Sequence, residues 1–150
     1  MKSLKRKVRL EPLPKIKRRL IKLWSIKVAS MNHNRCAVTG TLNGELLADG
    51  RKVILDAHHI DGKECNPSLR YDPINGVLVT KSIHKFGKNS FHRSPIWSME
   101  WLKQNRPKQY AYVLAHRDDT VDLDDRATLA CLEADLRAEP TAEQMAILGR

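Results

Sequence analysis

Apolar residues recur at Ile16, Leu20, Leu23, Trp24 and Ile26 with lysines and arginines between them, a spacing close to helical that follows Pro14. Proline is favoured at the start of a helix, so the pattern predicts a basic amphipathic helix ending near Ser30 to Asn34. Val53 to Ile60 is rich in β-branched and aliphatic residues and follows the turn signal Asp49-Gly50. It reads as a strand leaving a hairpin whose other arm begins near Cys36 to Thr41. Asp61-Gly62 ends that strand, and the stretch to Asn75 is loop chemistry of Gly, Asn, Pro, Ser and Asp. Gly76 to Thr80 is a second short apolar run, and a helix can start from Lys81. Trp97, Trp101 and Leu102, then Tyr110, Val113 and Leu114, keep helical spacing around a break at Pro107, which predicts two short helices. Ala127 to Leu136 and Ala142 to Leu148 read as acidic helices interrupted by Pro140. No internal repeat is present, and the mixture predicts an α+β fold.

The chain has 150 residues, 41% of them hydrophobic, enough for one domain with a modest core. Its formal net charge is +10, which points to a polyanionic partner, either nucleic acid or an anionic membrane surface. No apolar run approaches the ~18 residues needed to span a bilayer. The stretch from Ile16 to Val28 is broken by Lys17, Arg18, Arg19, Lys22 and Lys27, so no export signal is read. Cys36, Cys65 and Cys131 form no CxxC pair and are expected to be reduced thiols of a cytoplasmic protein.

The charge is unevenly spread. Residues 1–30 carry 11 Lys or Arg against Glu11 alone, whereas residues 118–150 hold nine acids against Arg126, Arg137 and Arg150. Three segments follow: a basic N-terminal helical arm (1–34), a central core with trailing helices (35–116) and an acidic helical tail (117–150). For the basic helix, a solvated surface face and phosphate binding are both open readings, with membrane-surface binding ranked below them.

Four of the six histidines cluster between residues 58 and 92. His58-His59 ends the first strand, Asn75-Gly76 opens the next segment, and His84 follows nine residues after Asn75. The segments LDAHHIDGK and LRYDPINGVLVTKSIHKFGKNSFHRSPIW resemble the ββα-metal unit of HNH endonucleases of the phage and bacterial type. The likeness covers about Arg35 to Tyr112, including the CAVTG turn that precedes the histidine unit and the SPIWSMEWLKQNRP helix that trails it. It implies a small ββα-metal core with flanking helices and hydrolysis of DNA phosphodiester bonds. Many members carry two CxxC pairs for a structural zinc; here CAVTG and VTKSIH stand in those places, leaving packing to hold the unit.

The resemblance implies His58 as metal ligand and His59 as general base, activating water for in-line attack. Consecutive strand residues face opposite ways, so one dipeptide can supply a ligand and a base. An imidazole with a reference pKa of about 6.5 is largely neutral and proton-accepting near pH 7. Asn75, the other member of the catalytic set, is implied to be structural, its amide bridging the long loop and orienting His59. Gly76 is expected to supply backbone angles other residues avoid, and an ordinary Asn-Gly turn is the plainer alternative. His84 is implied as the second ligand. His92 would lie ~12 Å from His84 along one continuous helix, too far to share an ion, unless Gly87-Lys88-Asn89 breaks the helix and folds His92 back as the third ligand that the resemblance implies; a substrate-facing or purely packing histidine is the alternative. Asp56, on the same strand face as His58, is the reserve ligand.

The ligand set implies one divalent metal ion, zinc, nickel, manganese or magnesium, with imidazole suiting the first two better. Lys81, Lys85, Lys88 and Arg93 around the site, and Arg18, Arg19 and Lys22 on the basic helix, are candidate DNA-backbone contacts. They set affinity without reading bases, so no target sequence follows. Trp97 and Trp101 are expected to be core residues rather than stacking platforms. A non-catalytic zinc-stabilised DNA-binding module and an RNA-directed nuclease stay open as alternatives. DNA is the expected partner, a membrane is not, and a homodimer or a phage or host protein partner is compatible with the sequence. The expected location is the cytoplasm of a bacterium or a phage-infected host.

Overall fold

The computed structural model describes residues 10–62, 64 and 66–149. The first nine residues of the basic arm, and Cys65 among the expected thiols, lie outside the described residues. The first helix, α1 (Leu13–Met31), starts one residue before Pro14 and buries Leu20, Trp24, Val28 and Met31 along one face. It ends where His33 and Asn34 both turn to φ 54, reversing the chain after the last helical turn.

Two strands, β1 (Leu55–His59) and β2 (Gly76–Thr80), form an antiparallel pair with His58 opposite Val77 and His59 opposite Gly76. The hairpin expected between Val53–Ile60 and Cys36–Thr41 is not what forms. Residues 35–42 close on themselves through an isolated bridge between Arg35 and Leu42, and the Asp49-Gly50 turn joins only Leu46 and Lys52. The partner of β1 is the more apolar run, whose Val77, Leu78 and Val79 are buried at 0–3% exposure. Ala37 donates its N–H to the Leu78 carbonyl, which places the CAVTG turn beside β2.

Gly76 departs from its expected role in a similar way. Its backbone is ordinary extended chain, φ −129 and ψ 141. A Cβ there would stand 2.4 Å from Val28 Cγ2 and 3.0 Å from Trp24, so glycine serves the close approach of β2 to α1. Gly76→Ala is expected to cost about 1–3 kcal/mol through overpacking. Chemical denaturation would check this, and an unchanged midpoint would mean that α1 moves away freely.

After β2 the chain enters a five-residue π-helical turn, Ser82–Phe86, in place of the regular helix expected from Lys81. Helices α2 (Pro95–Asn105) and α3 (Pro107–His116) meet at the predicted Pro107 break. Trp97 and Trp101 are partly buried and pack with Phe91, Leu102, Cys36, Val77 and Val79, as core residues do.

Helix α4 (Arg126–Arg137) is capped by the Asp125 carboxylate accepting from the Thr128 N–H, and α5 (Ala142–Ile147) by a Thr141–Gln144 capping box. The acidic segment packs on the basic helix. Leu129 and Leu136 of α4 share a buried cluster with Leu20, Trp24 and Val28 of α1. Arg19 is held by carboxylates on two sides, donating to Glu11 at 2.8 Å and to Glu133 at 2.9 Å. Lys27, 5% exposed, donates to the Asp135 and Ala138 carbonyls and so satisfies the end of α4. Burial pushes the pKa of its ammonium down, opposed by Asp135 and Glu139. Overall 51% of the structure is helical, and among the described residues no helix is long and apolar enough to cross a membrane.

Candidate metal centre

The alternation of β1 turns His58 and His59 to different surroundings. His58 meets His84 and His92, with ring centroids 5.0 and 4.9 Å away. One nitrogen from each of the three lies within 4.8 Å of the others, close enough to hold a metal ion.

His92 reaches the site because residues 83–92 fold back on themselves. The Phe91 N–H donates to the Ile83 carbonyl at 2.8 Å and the His92 N–H to the His84 carbonyl at 3.2 Å. Gly87 makes the reversal by donating to the Ser82 carbonyl at 2.7 Å. A Cβ on Gly87 would lie 2.9 Å from that carbonyl oxygen, so a side chain would open the turn. The Gly87-Lys88-Asn89 break read from composition is thus present, and it replaces the separation of a continuous helix with direct backbone pairing.

The donor geometry fits a shared cation. The Nε2 atoms of His84 and His92 are 3.1 Å apart. Two nitrogens bound to one tetrahedral ion at about 2.0–2.1 Å would stand roughly 3.3 Å apart. Asp56 Oδ2 lies 3.3 Å from His84 Nδ1, so the reserve ligand of the sequence reading pairs with His84 through the ring nitrogen other than Nε2.

Burial is the main electrostatic influence here. It pushes His58 down to about 3, with His84, His92, His59 and Lys85 adding repulsion in that order. Burial also lowers His84, opposed by the hydrogen bond to Asp56. Neutral imidazoles are the form that ligates. In metal-free protein this has a consequence for stability. Folded His58 remains neutral down to about 3, whereas an unfolded imidazole takes up a proton near 6.5. The unfolded state therefore binds more protons between those values, and stability is lost as pH falls through the window. The expected slope is at most about 1.4 kcal/mol per pH unit. Denaturation midpoints of chelator-treated protein should fall from about pH 7 to about pH 5; equal midpoints would mean that water solvates His58.

His59 sits differently. Its ring stacks flat on Trp24, centroids 3.7 Å apart with 7° between planes, and its Nε2 lies 2.9 Å from the Arg70 carbonyl oxygen. A carbonyl only accepts, so Nε2 carries the proton and Nδ1 is the basic nitrogen of the neutral ring. Trp24 is fixed in turn by donating its indole N–H to the Asp72 carbonyl at 2.8 Å. The helical spacing placed Trp24 on the buried face of α1, but no signal in the sequence tied it to His59.

Asn75 is fully buried and lies outside the cleft, as a structural residue. Its Oδ1 accepts from the Asp61 N–H, and its Nδ2 donates to the Asp61 and Leu69 carbonyls, tying the ends of the loop that carries Arg70. It therefore reaches His59 through the backbone at Arg70.

The histidines open into a cleft of about 530 Å³, walled on the α1 side by Ile21, Trp24 and Ser25. Lys85 lines it, while Lys81, Lys88 and Arg93 are exposed on the same 81–93 segment. Arg18 and Lys22 are exposed on α1 and lie three positions or fewer from Ile21, on the stripe that continues to Ser25. Neither lines the cleft itself, and Arg19 is engaged elsewhere, because Glu11 and Glu133 occupy its guanidinium. No family model matches the chain, and comparisons with curated proteins and with solved structures find no match.

Proposed function

We propose that the protein is a metal-dependent endonuclease of HNH type, hydrolysing DNA phosphodiester bonds in the cleft between α1 and the sheet. The observation that carries this reading is the division of labour inside one dipeptide. His58 joins a three-nitrogen cluster suited to a cation, while His59 stands outside that cluster, in the cleft, with one nitrogen anchored on a carbonyl. A ββα-metal core is part of the same reading, the π-helical turn standing where a regular helix would follow β2.

His58, His84 and His92 would hold one divalent ion, which when bound supplies positive charge to the scissile phosphate as a Lewis acid. His59 accepts the proton of the attacking water at Nδ1, and the Arg70 carbonyl stabilises the imidazolium that results by accepting from Nε2. Trp24 holds the ring plane, and Asn75 holds the loop that supplies the carbonyl. A purely structural zinc module accounts for the three ligands but does not call for a further histidine lining the same cleft.

Purified protein should nick or linearise plasmid with one or more of magnesium, manganese, nickel and zinc, and lose activity with a chelator. No cleavage of DNA with any of the four would overturn the reading, and cutting of RNA alone would move it to RNA.

The charged residues divide by their partners. Replacing Arg18 and Lys22 with alanine should weaken DNA binding and reduce the slope of log affinity against log salt by about one per cation that neutralises a phosphate. Arg19→Ala should leave that slope near the parental value and lower stability, because its partners are Glu11 and Glu133. Binding titrations at several salt concentrations would decide, and a slope change confined to Arg19→Ala would reverse the assignment.

A further inference from the structure

We infer that Phe86 is a base-stacking platform on the folded-back segment that carries His84, presented to take the face of a nucleobase of a bound strand. This rests on the proposed nuclease reading for its substrate class, and on separate features of the structure for its site.

Phe86 is 69% exposed, while Phe91 on the same folded-back segment is 6% exposed and packs in the core. Among the described residues Phe86 has no aromatic partner and belongs to none of the buried clusters. Its backbone, by contrast, is held firmly. It is the last residue of the π-helical turn that carries His84, and such turns are frequent at functional sites. Gly87 closes the turn on the Ser82 carbonyl, and Arg93 Nη1 donates to the Phe86 carbonyl at 3.0 Å. An exposed ring on a restrained backbone loses little freedom when it meets a flat partner.

Charge selects the partner. From Lys81 to Met99 the chain holds four cations and no acid. Lys85 and Lys88 flank Phe86 in sequence, and Arg93 grips its carbonyl. Two copies of this chain meeting through the same face would oppose like charges. A polyanion bearing flat aromatic groups satisfies both the cations and the ring, and single-stranded or locally unstacked nucleic acid has that chemistry. Because every base has a π-face, the contact adds affinity with little sequence preference.

The test uses the full chain with chelator present, so that binding is read without cleavage, and a single-stranded oligonucleotide carrying 2-aminopurine. Parental protein should change the 2-aminopurine fluorescence. Phe86→Leu should remove most of that change and weaken binding about fivefold to a hundredfold, with the salt slope unaltered, since stacking releases no counterions. Phe86→Trp should restore both. Circular dichroism checks that the variants fold, which the exposure of this side chain favours. Parental affinity and fluorescence in Phe86→Leu would overturn the inference, as would a loss of self-association in that variant with oligonucleotide binding unchanged. The nuclease reading fails separately: protein that binds oligonucleotides through Phe86 but cuts no nucleic acid with any metal would sink it alone. Protein that cuts while Phe86→Leu behaves as the parent would sink only the platform.

Discussion

His59→Ala is expected to lower metal-dependent plasmid cleavage by about 10² to 10⁴-fold while metal and DNA binding persist. The size is that of removing a positioned general base, the role proposed for His59, after which water must attack without transfer of its proton to a nearby nitrogen. Binding should survive because the three histidines close enough to hold a cation are His58, His84 and His92, and the proposed DNA-backbone contacts are on α1 and on residues 81–93. The two neighbours that fix His59 are themselves fixed independently. Trp24 donates to the Asp72 carbonyl, and the loop of Arg70 is tied by Asn75. Truncating the imidazole therefore leaves its supports standing. Single-turnover cleavage and calorimetric metal titration on the same preparation would measure both sides. Cleavage at the parental rate would remove His59 from the chemistry, and loss of metal binding would make it a ligand.

A larger loss of metal affinity is expected from His84→Ala than from Asp56→Ala, and cleavage should follow the same order. His84 contributes a nitrogen at the centre of the cluster, 3.1 Å from that of His92, so its removal leaves two ligands. Asp56 acts one bond further out, by holding His84 Nδ1. Loss of such an orienting carboxylate costs about 10–100-fold in affinity or activity. Excess metal should therefore rescue Asp56→Ala substantially and His84→Ala poorly. Competition with a chromogenic chelator, followed by cleavage over a metal series, would check the order. Equal losses in the two variants would place Asp56 among the direct ligands.

The helices were largely legible because their signals are local. Pro14, Pro107 and Pro140 punctuate apolar runs of helical spacing, and the observed helices fall within a few residues of those marks. Strand identity was legible too, but strand partnership was not. The Asp49-Gly50 turn suggested a nearby partner for residues 53–60, whereas burial of Val77 to Val79 selected a partner across a sixteen-residue loop (60–75). The sequence identified Gly76 as special and misassigned the cause. Backbone angles are a local property, but the clash with Val28 exists only once α1 lies across β2.

Within the candidate site, the types and order of His58, His59, Asn75, His84 and His92 were available from spacing and resemblance. The sequence alone determined a basic chain with an acidic end, an α+β mixture and a set of imidazoles able to serve a cation. Only the tertiary structure decided which charges are already paired, since Arg19 meets Glu133 across 114 positions of chain. It likewise decided that Asp56 pairs with His84, that Trp24 and the Arg70 carbonyl hold His59, and that Phe86 is left exposed. The physical reason is the same in each case. Residue type and period act over a few neighbouring positions, whereas a hydrogen bond, a stacked ring or an excluded methyl group depends on what distant segments bring within about four ångströms.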